Sequence, residues 1–231
     1  MKVSLASTAD PAHAGPRRED FYCVDTSLGL FAIAEGLGPA GGLLARMVLR
    51  TLRQFMVEHR RDPERAAHRL PSHRLHVGLM VAYRALIETE ERADDGEAAA
   101  VCAMLFDGER LAIARFGGCR AYRLRGDRFE QLGEDIFDGE ARGARWHGPG
   151  RHAHHEPSLA LEIHDVTAEG NDHWLLGTSG LPDELTANES QLVIDASESH
   201  DLPGGRKPIV DVAACNVVIV SSASVTQKQL N

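Results

Sequence analysis

Four β-forming runs stand almost back to back between Ala98 and Gly133, and they constrain the fold more than any other part of the sequence. They read AAAVCAMLF, RLAIARF, RAYRLR and RFEQLG, separated by DGE, GGC and GDR. Asp-Gly and Gly-Asp tolerate the positive φ of tight turns, so FDGERLAIA and LRGDRFEQL predict two β-hairpins. Three more runs, KVSLAS, DFYCVD and LFAIAE, lie upstream and are short, rich in β-formers and bounded by turn residues. Between the two blocks the period changes. Leu43, Leu44, Met47, Val48, Leu52, Phe55 and Met56 recur every three or four residues, which predicts a helix over 43–60. HRRDPERAAHRLPSHR interrupts it with two prolines. A second helix is expected over 74–92, with Leu75, Leu79, Tyr83, Leu86 and Ile87 on its inner stripe and the acidic run ETEERADDGE at its end. After Gly133 the chain turns irregular and His-rich, before LALEIHD, HWLLGTS and ACNVVIVSS supply further strands. Strand blocks on either side of a helical hairpin indicate the α+β class, a sheet-rich core covered by helices.

At 231 residues, 43% of them hydrophobic, the chain fits one globular domain with a sizeable core. A formal net charge of −9 argues against nucleic acid as the main partner and leaves no polybasic membrane patch. No apolar run approaches the roughly 20 residues that span a bilayer, and MKVSLASTADPAHAG lacks the apolar region of a signal peptide. A cytoplasmic protein without membrane insertion is the expectation. Cys23, Cys102, Cys119 and Cys215 are far apart and form no CxxC pair, so they are expected to be buried, reduced thiols.

From about Arg17 to Val220 the segments resemble, in order and wording, the bacterial metal-dependent Ser/Thr phosphatases of the PP2C (PPM) family. RREDFYCVD is similar to the family's Arg and Asn-Glu-Asp motif. FAIAEGLGPAGG resembles a strand ending Ala-Asp-Gly-Met-Gly-Gly. GEAAAVCAMLFDGERLAIARFGGCRAYRLRGDRFEQLGED resembles the Gly-Thr-Thr strand, the hairpin, Gly-Asp-Ser-Arg-Ala-Tyr and the Leu-Thr-x-Asp-His end. HWLLGTSGLPDEL is similar to the Ser-Asp-Gly-Leu-Thr-Asp strand, and CNVVIVSS stands at Asp-Asn-(Ile/Val)-Thr-Val-Val. The resemblance implies a four-layer αββα sandwich: two antiparallel β-sheets flanked by helices, with the active site at one end between the sheets. Both predicted helices should lie antiparallel on one outer face. The whole of 1–231 is read as one such domain, with 221–231 a C-terminal tail.

The family's chemistry needs Mg²⁺ or Mn²⁺, hard cations that take carboxylate and water oxygens; a bridging carboxylate holds two of them about 4 Å apart to activate a water. Carried over residue by residue, the resemblance keeps Glu19 and Asp20 of the first motif, puts Glu35 at the bridging Asp and keeps Gly36 beside it. It replaces three other acids by Gly118, Ser179 and Cys215, the last next to a retained Asn216. The phosphate-binding Arg falls on Gly15, with Arg17 and Arg18 near, and the Asp-His pair becomes Asp135-Ile136. Ser179 is a neutral ligand and Cys215 a soft one, so a two-metal centre is not expected. Glu19, Asp20, Glu35 and Gly36 would hold one Mn²⁺ or Mg²⁺ weakly, if any.

These replacements imply a degenerate, inactive member: a pseudophosphatase working as a regulatory or protein-binding module in Ser/Thr phosphorylation signalling, towards a phosphoprotein or a Ser/Thr kinase. The alternative is an active Mn²⁺- or Mg²⁺-dependent phospho-Ser/Thr phosphatase that recruits displaced ligands such as Asp172, Asp183 or Asp211. The His-rich stretch from His147 to His155, with His152, His154 and Glu156, lacks a spacing that fixes tetrahedral geometry and reads as a loop. GLGPAGG lacks the Lys-Ser/Thr of a phosphate-binding Walker loop.

Overall fold

A computed structural model describes residues 2–7, 19–37, 41–61, 70–89, 98–108, 110–133, 144–145, 161–170, 172–178, 209–213 and 216–221. Strands β1 (Lys2–Ser7), β2 (Glu19–Asp25) and β3 (Leu30–Leu37) precede helices α1 (Gly41–Arg60) and α2 (Pro71–Thr89). Strands β4 (Ala98–Asp107), β5 (Arg110–Phe116), β6 (Arg120–Arg125), β7 (Arg128–Leu132), β8 (Ala144–Arg145), β9 (Glu162–Thr167), β10 (His173–Gly177), β11 (Ile209–Ala213) and β12 (Asn216–Ser221) follow. They form two sheets, one ordered β1-β12-β10-β6-β7 and one ordered β11-β2-β3-β4-β5-β9, with β8 also on β4. Every pairing is antiparallel.

Both predicted hairpins form. Asp107 pairs with Arg110 across Gly108, and Arg125 with Arg128 across Gly126; both glycines take positive φ. The helices begin two or three residues before the periodic apolar positions, at Gly41 and Pro71, because glycine and proline carry no apolar stripe. Proline is preorganised for a first helical turn, where its missing N–H costs nothing. The second helix ends at Thr89 rather than 92. Ile209–Ala213 forms a strand that local pattern does not mark. The helical layer expected on the outer face of the five-stranded sheet falls outside the described residues.

Alternation splits the central strands between two cores. Ala99, Val101, Ala103 and Leu105 of β4 face the helices with Phe21, Cys23, Ala32 and Ala34. Ala100, Cys102, Met104 and Phe106 face the other sheet with Ile33, Phe31, Trp174 and Leu176. A strand buried on both faces must be apolar at every position, which is why AAAVCAMLF carries no polar alternation. The helix-side core is closed by Leu44, Val48, Leu49, Leu52 and Met56 of α1 and by Leu75, Leu79, Ala82 and Leu86 of α2. The two helices approach closely at Gly78, where an added Cβ would lie 2.8 Å from Leu52 Cδ1 and 2.9 Å from Phe55 Cδ1. Cys23, Cys102 and Cys119 are buried free thiols, as expected, and Cys215 lies outside the described residues. No described helix is long and apolar enough to cross a membrane.

Candidate functional site

At one end of the sandwich several strand ends meet. β2 begins there at Glu19, paired with Gly36 near the end of β3. β4 enters opposite them, with Ala100 against Glu35. β10 leaves at Gly177, flanked by Arg120 of β6 and Val217 of β12, and β11 ends with Ala213 against Glu19. The turn Gly117-Gly118-Cys119 crosses here from one sheet to the other, joining β5 to β6.

Two carboxylates lie at this end. Asp20 and Glu35 are directly opposed in the β2–β3 ladder, and each is 1% exposed. Their neighbours two residues along, Tyr22 and Ile33, belong to the core between the sheets, so period-2 alternation sends both acids to the inter-sheet face. Directly opposed side chains have Cβ atoms about 5 Å apart, so the two acids form one unit. Gly36 has a separate duty. An added Cβ there would meet the Gly41 carbonyl carbon at 2.3 Å and the Gly42 nitrogen at 2.5 Å, so the start of α1 packs backbone to backbone on β3.

Gly118 and Cys119 are buried beside the acids. Burial pushes the Cys119 thiol well above its ordinary 9.0, the Glu35, Cys102 and Asp20 charges add to the rise, and a hydrogen bond with the Glu35 backbone offsets part of it. The sulfur therefore stays a protonated thiol at neutral pH, a poor nucleophile, and as a soft donor it suits Mg²⁺ or Mn²⁺ poorly. The sequence gives Gly118 as a replaced acid but assigns Cys119 only to the buried thiols. A cysteine between a tight turn and a strand, aligned with the serine of Gly-Asp-Ser, was the available signal. Arg115 was overlooked too, although a charge inside RLAIARF marks it. It is 2% exposed, donates from Nε to Glu162 Oε2 at 2.5 Å, and Glu162 Oε1 lies 2.7 Å from His164 Nε2.

Asp172 is not at this end. It precedes β10 at the opposite edge and accepts from Arg125 Nε at 2.6 Å and Nη2 at 2.8 Å, so it cannot serve as a displaced metal ligand. Burial alone would raise its carboxyl, but Arg125 and the Glu169 amide outweigh burial and hold it below its ordinary 3.8. Asp211 pairs with Phe21 in β11. Arg17, Arg18, Ser179, Cys215, Gly15, Asp135, Ile136, Asp183 and the His147–His155 stretch lie outside the described residues.

The donor set decides whether two hard cations fit. One sheet offers Asp20, Glu35 and the Gly36 carbonyl. Facing them, the described residues offer the side-chain-free Gly118 and a protonated thiol. Two divalent ions bridged by one carboxylate take most of their ligands from carboxylates, and among the described residues Gly118 and Cys119 supply none. Among the described residues no group of three or more His, Cys, Asp or Glu side chains is placed to hold a metal ion.

No protein-family model and no curated protein matches the chain. Solved structures do. The Ser/Thr phosphatase PstP/Ppp of Mycobacterium tuberculosis superposes with a TM-score of 0.64 at 18% identity, covering 96% of this chain and 99% of that one. The PstP catalytic domain in complex with two manganese ions gives 0.63 at 19%, covering 95% and 98%. PppA of Pseudomonas aeruginosa, a key regulatory component of T6SS, gives 0.62 at 19%, covering 96% and 98%. At such identities the likeness establishes the fold: this chain has the architecture of the bacterial PP2C/PPM Ser/Thr phosphatases over nearly its whole length.

Proposed function

We propose that this PP2C-fold chain is a pseudophosphatase, a regulatory or protein-binding module in Ser/Thr phosphorylation signalling that engages a phosphoprotein or a Ser/Thr kinase. One observation carries the reading. The buried pair Asp20 and Glu35 is faced by Gly118 and the Cys119 thiol, where two-metal chemistry would need further carboxylates. Ser179 and Cys215 extend the same deficit in sequence. The regulatory role draws support from PppA, which shares the fold and is a regulatory component of its own system. Glu19, Asp20, Glu35 and Gly36 form at most a weak single-ion site. Arg17 and Arg18 are the nearest candidates for phosphate contact, and the whole of 1–231 acts as one cytoplasmic domain.

The competing reading is an active Mn²⁺- or Mg²⁺-dependent phosphatase, favoured by the survival of two opposed buried acids. Hydrolysis of p-nitrophenyl phosphate and of a phosphothreonine peptide with Mn²⁺ separates the two. Negligible turnover is expected. Robust Mn²⁺-dependent turnover abolished by Glu35→Ala would overturn the proposal in favour of the enzyme. A restoration test asks whether the positions still converge. Glu35→Asp, Ser179→Asp and Cys215→Asp together should create Mn²⁺-dependent thermal stabilisation that the native chain lacks, because binding to the folded state stabilises it by mass action. Without metal the triple variant should melt lower, since clustered carboxylates repel. No Mn²⁺ effect in the triple variant would refute the residue correspondence.

A further inference from the structure

The end of the molecule opposite the acids carries a cavity of about 470 Å³, between the β2–β3 turn, the β4–β5 turn, the last turn of α1 and the first turn of α2. Its size falls in the range of small-molecule sites, roughly 300–1,000 Å³. Met56 and Phe106 contribute apolar surface, while Arg60, Arg74 and His59 bring positive charge. Among the described residues of the lining, Asp107 is the only acid set against Arg60 and Arg74, on a chain whose net charge is −9. Each guanidinium makes one contact within the fold and keeps further donors. Arg74 Nη1 stands 3.5 Å from Asp107 Oδ2, at the outer limit of a hydrogen bond, and its Nε is buried with no hydrogen-bond partner. Arg60 is exposed and spends Nη1 on the Ser27 carbonyl.

We propose that this cavity binds a small organic anion: one phosphate or carboxylate group, held between Arg60 and Arg74, on a compact apolar body seated against Met56 and Phe106. Each half of that description has its own reason. A divalent cation would meet one carboxylate and two guanidiniums. An inorganic anion would leave the apolar wall wet. A neutral hydrocarbon would give the two guanidiniums no acceptor. Guanidinium groups recognise phosphate and carboxylate by charge-assisted, often bidentate hydrogen bonds, the strongest class available here. The site is independent of the pseudophosphatase reading, because α1 runs the length of the layer between this cavity and Gly36.

The experiment is an amide NMR titration of the full chain with phenyl phosphate and with benzoate, and with benzyl alcohol and inorganic phosphate as controls. Saturable shifts at Ser27, Gly29 and Gly108 with phenyl phosphate, benzoate or both are expected. Each control should bind at least about tenfold more weakly, as loss of charged hydrogen bonds or apolar burial predicts. Arg74→Gln should weaken the binding about tenfold. Arg60→Gln, a change at an exposed position, keeps the test open if Arg74→Gln fails to fold. The proposal is overturned if neither organic anion saturates at these amides. It is equally overturned if the shifts appear only at Glu35 and Ala100, at the opposite end, or if affinity survives in every variant that folds.

Discussion

Asp25 closes the β2–β3 turn with one carboxylate serving three donors. Oδ1 accepts from Ser27 Oγ at 2.7 Å and the Leu28 amide at 3.2 Å, and Oδ2 accepts from Arg53 Nε at 3.0 Å. Burial would raise this carboxyl, but the Ser27, Arg53 and Leu28 hydrogen bonds outweigh it and leave it below its ordinary 3.8. Its folded value is depressed, so its stabilisation is present above the unfolded value and fades as pH falls through the folded one. Asp25→Asn should cost about 1–3 kcal/mol at pH 7 in urea unfolding, and the difference from the native chain should shrink below about pH 4. The thiols give a second test. Burial pushes Cys23 and Cys102 up to about 12, so both stay protonated near pH 8. Ellman's reagent, read by peptide mass mapping, should label Cys23, Cys102 and Cys119 in urea but not in the native chain; rapid native labelling would contradict their burial. At this scale the sequence revealed types and positions but not partners. Glu35 was visible because a strand ran into a glycine-rich turn. That Cys119 lies against Glu35 and Asp20 was not, because the neighbours come from strands 15 and about 80–100 residues apart in the chain.

The elements were legible wherever apolar periodicity or turn chemistry marked them, and illegible where packing alone decides. Both hairpins and both helices followed from local pattern. β11 did not: five residues, IVDVA, form a strand because they pair with Ile209 opposite Cys23 through Ala213 opposite Glu19, a contact across the whole chain. Two glycines test how elements meet. Gly78→Ala would gain about 1 kcal/mol of helix propensity, yet its methyl must displace Leu52 and Phe55, an overpacking cost of about 1–3 kcal/mol. A net loss of up to about 2 kcal/mol in urea unfolding is expected. Gly36→Ala is a harder case, because the obstacles at 2.3 and 2.5 Å are backbone atoms of Gly41 and Gly42 that no rotamer can move. It should cost more than Gly78→Ala and shift the amide resonances at the start of α1. Equal effects from the two changes would refute the backbone contact.

Across the whole molecule, β3 and β4 give alternate residues to the helix-side core and to the inter-sheet core, so neither core can melt without exposing the back of the other. Leu79→Ala in the first and Leu176→Ala in the second, both at fully buried positions, should each remove about 2–5 kcal/mol and shift one shared thermal transition. Two transitions, each moved by one substitution only, would break that coupling. The fold class was readable because most strands along the resemblance are written in their own residues. Sheet order was not, because it depends on which distant ends close on each other. The strand order also has a bearing on biosynthesis. The seven-stranded sheet has its centre, and both its helices, once Phe116 has been made, whereas β12, wedged between β1 and β10, arrives roughly a hundred residues later. At about 5–20 residues per second, a ribosome leaves the greasy back of β3 and β4 uncovered for some 5–20 s. A nascent chain stalled in that interval is the form of this protein that a holdase chaperone would meet.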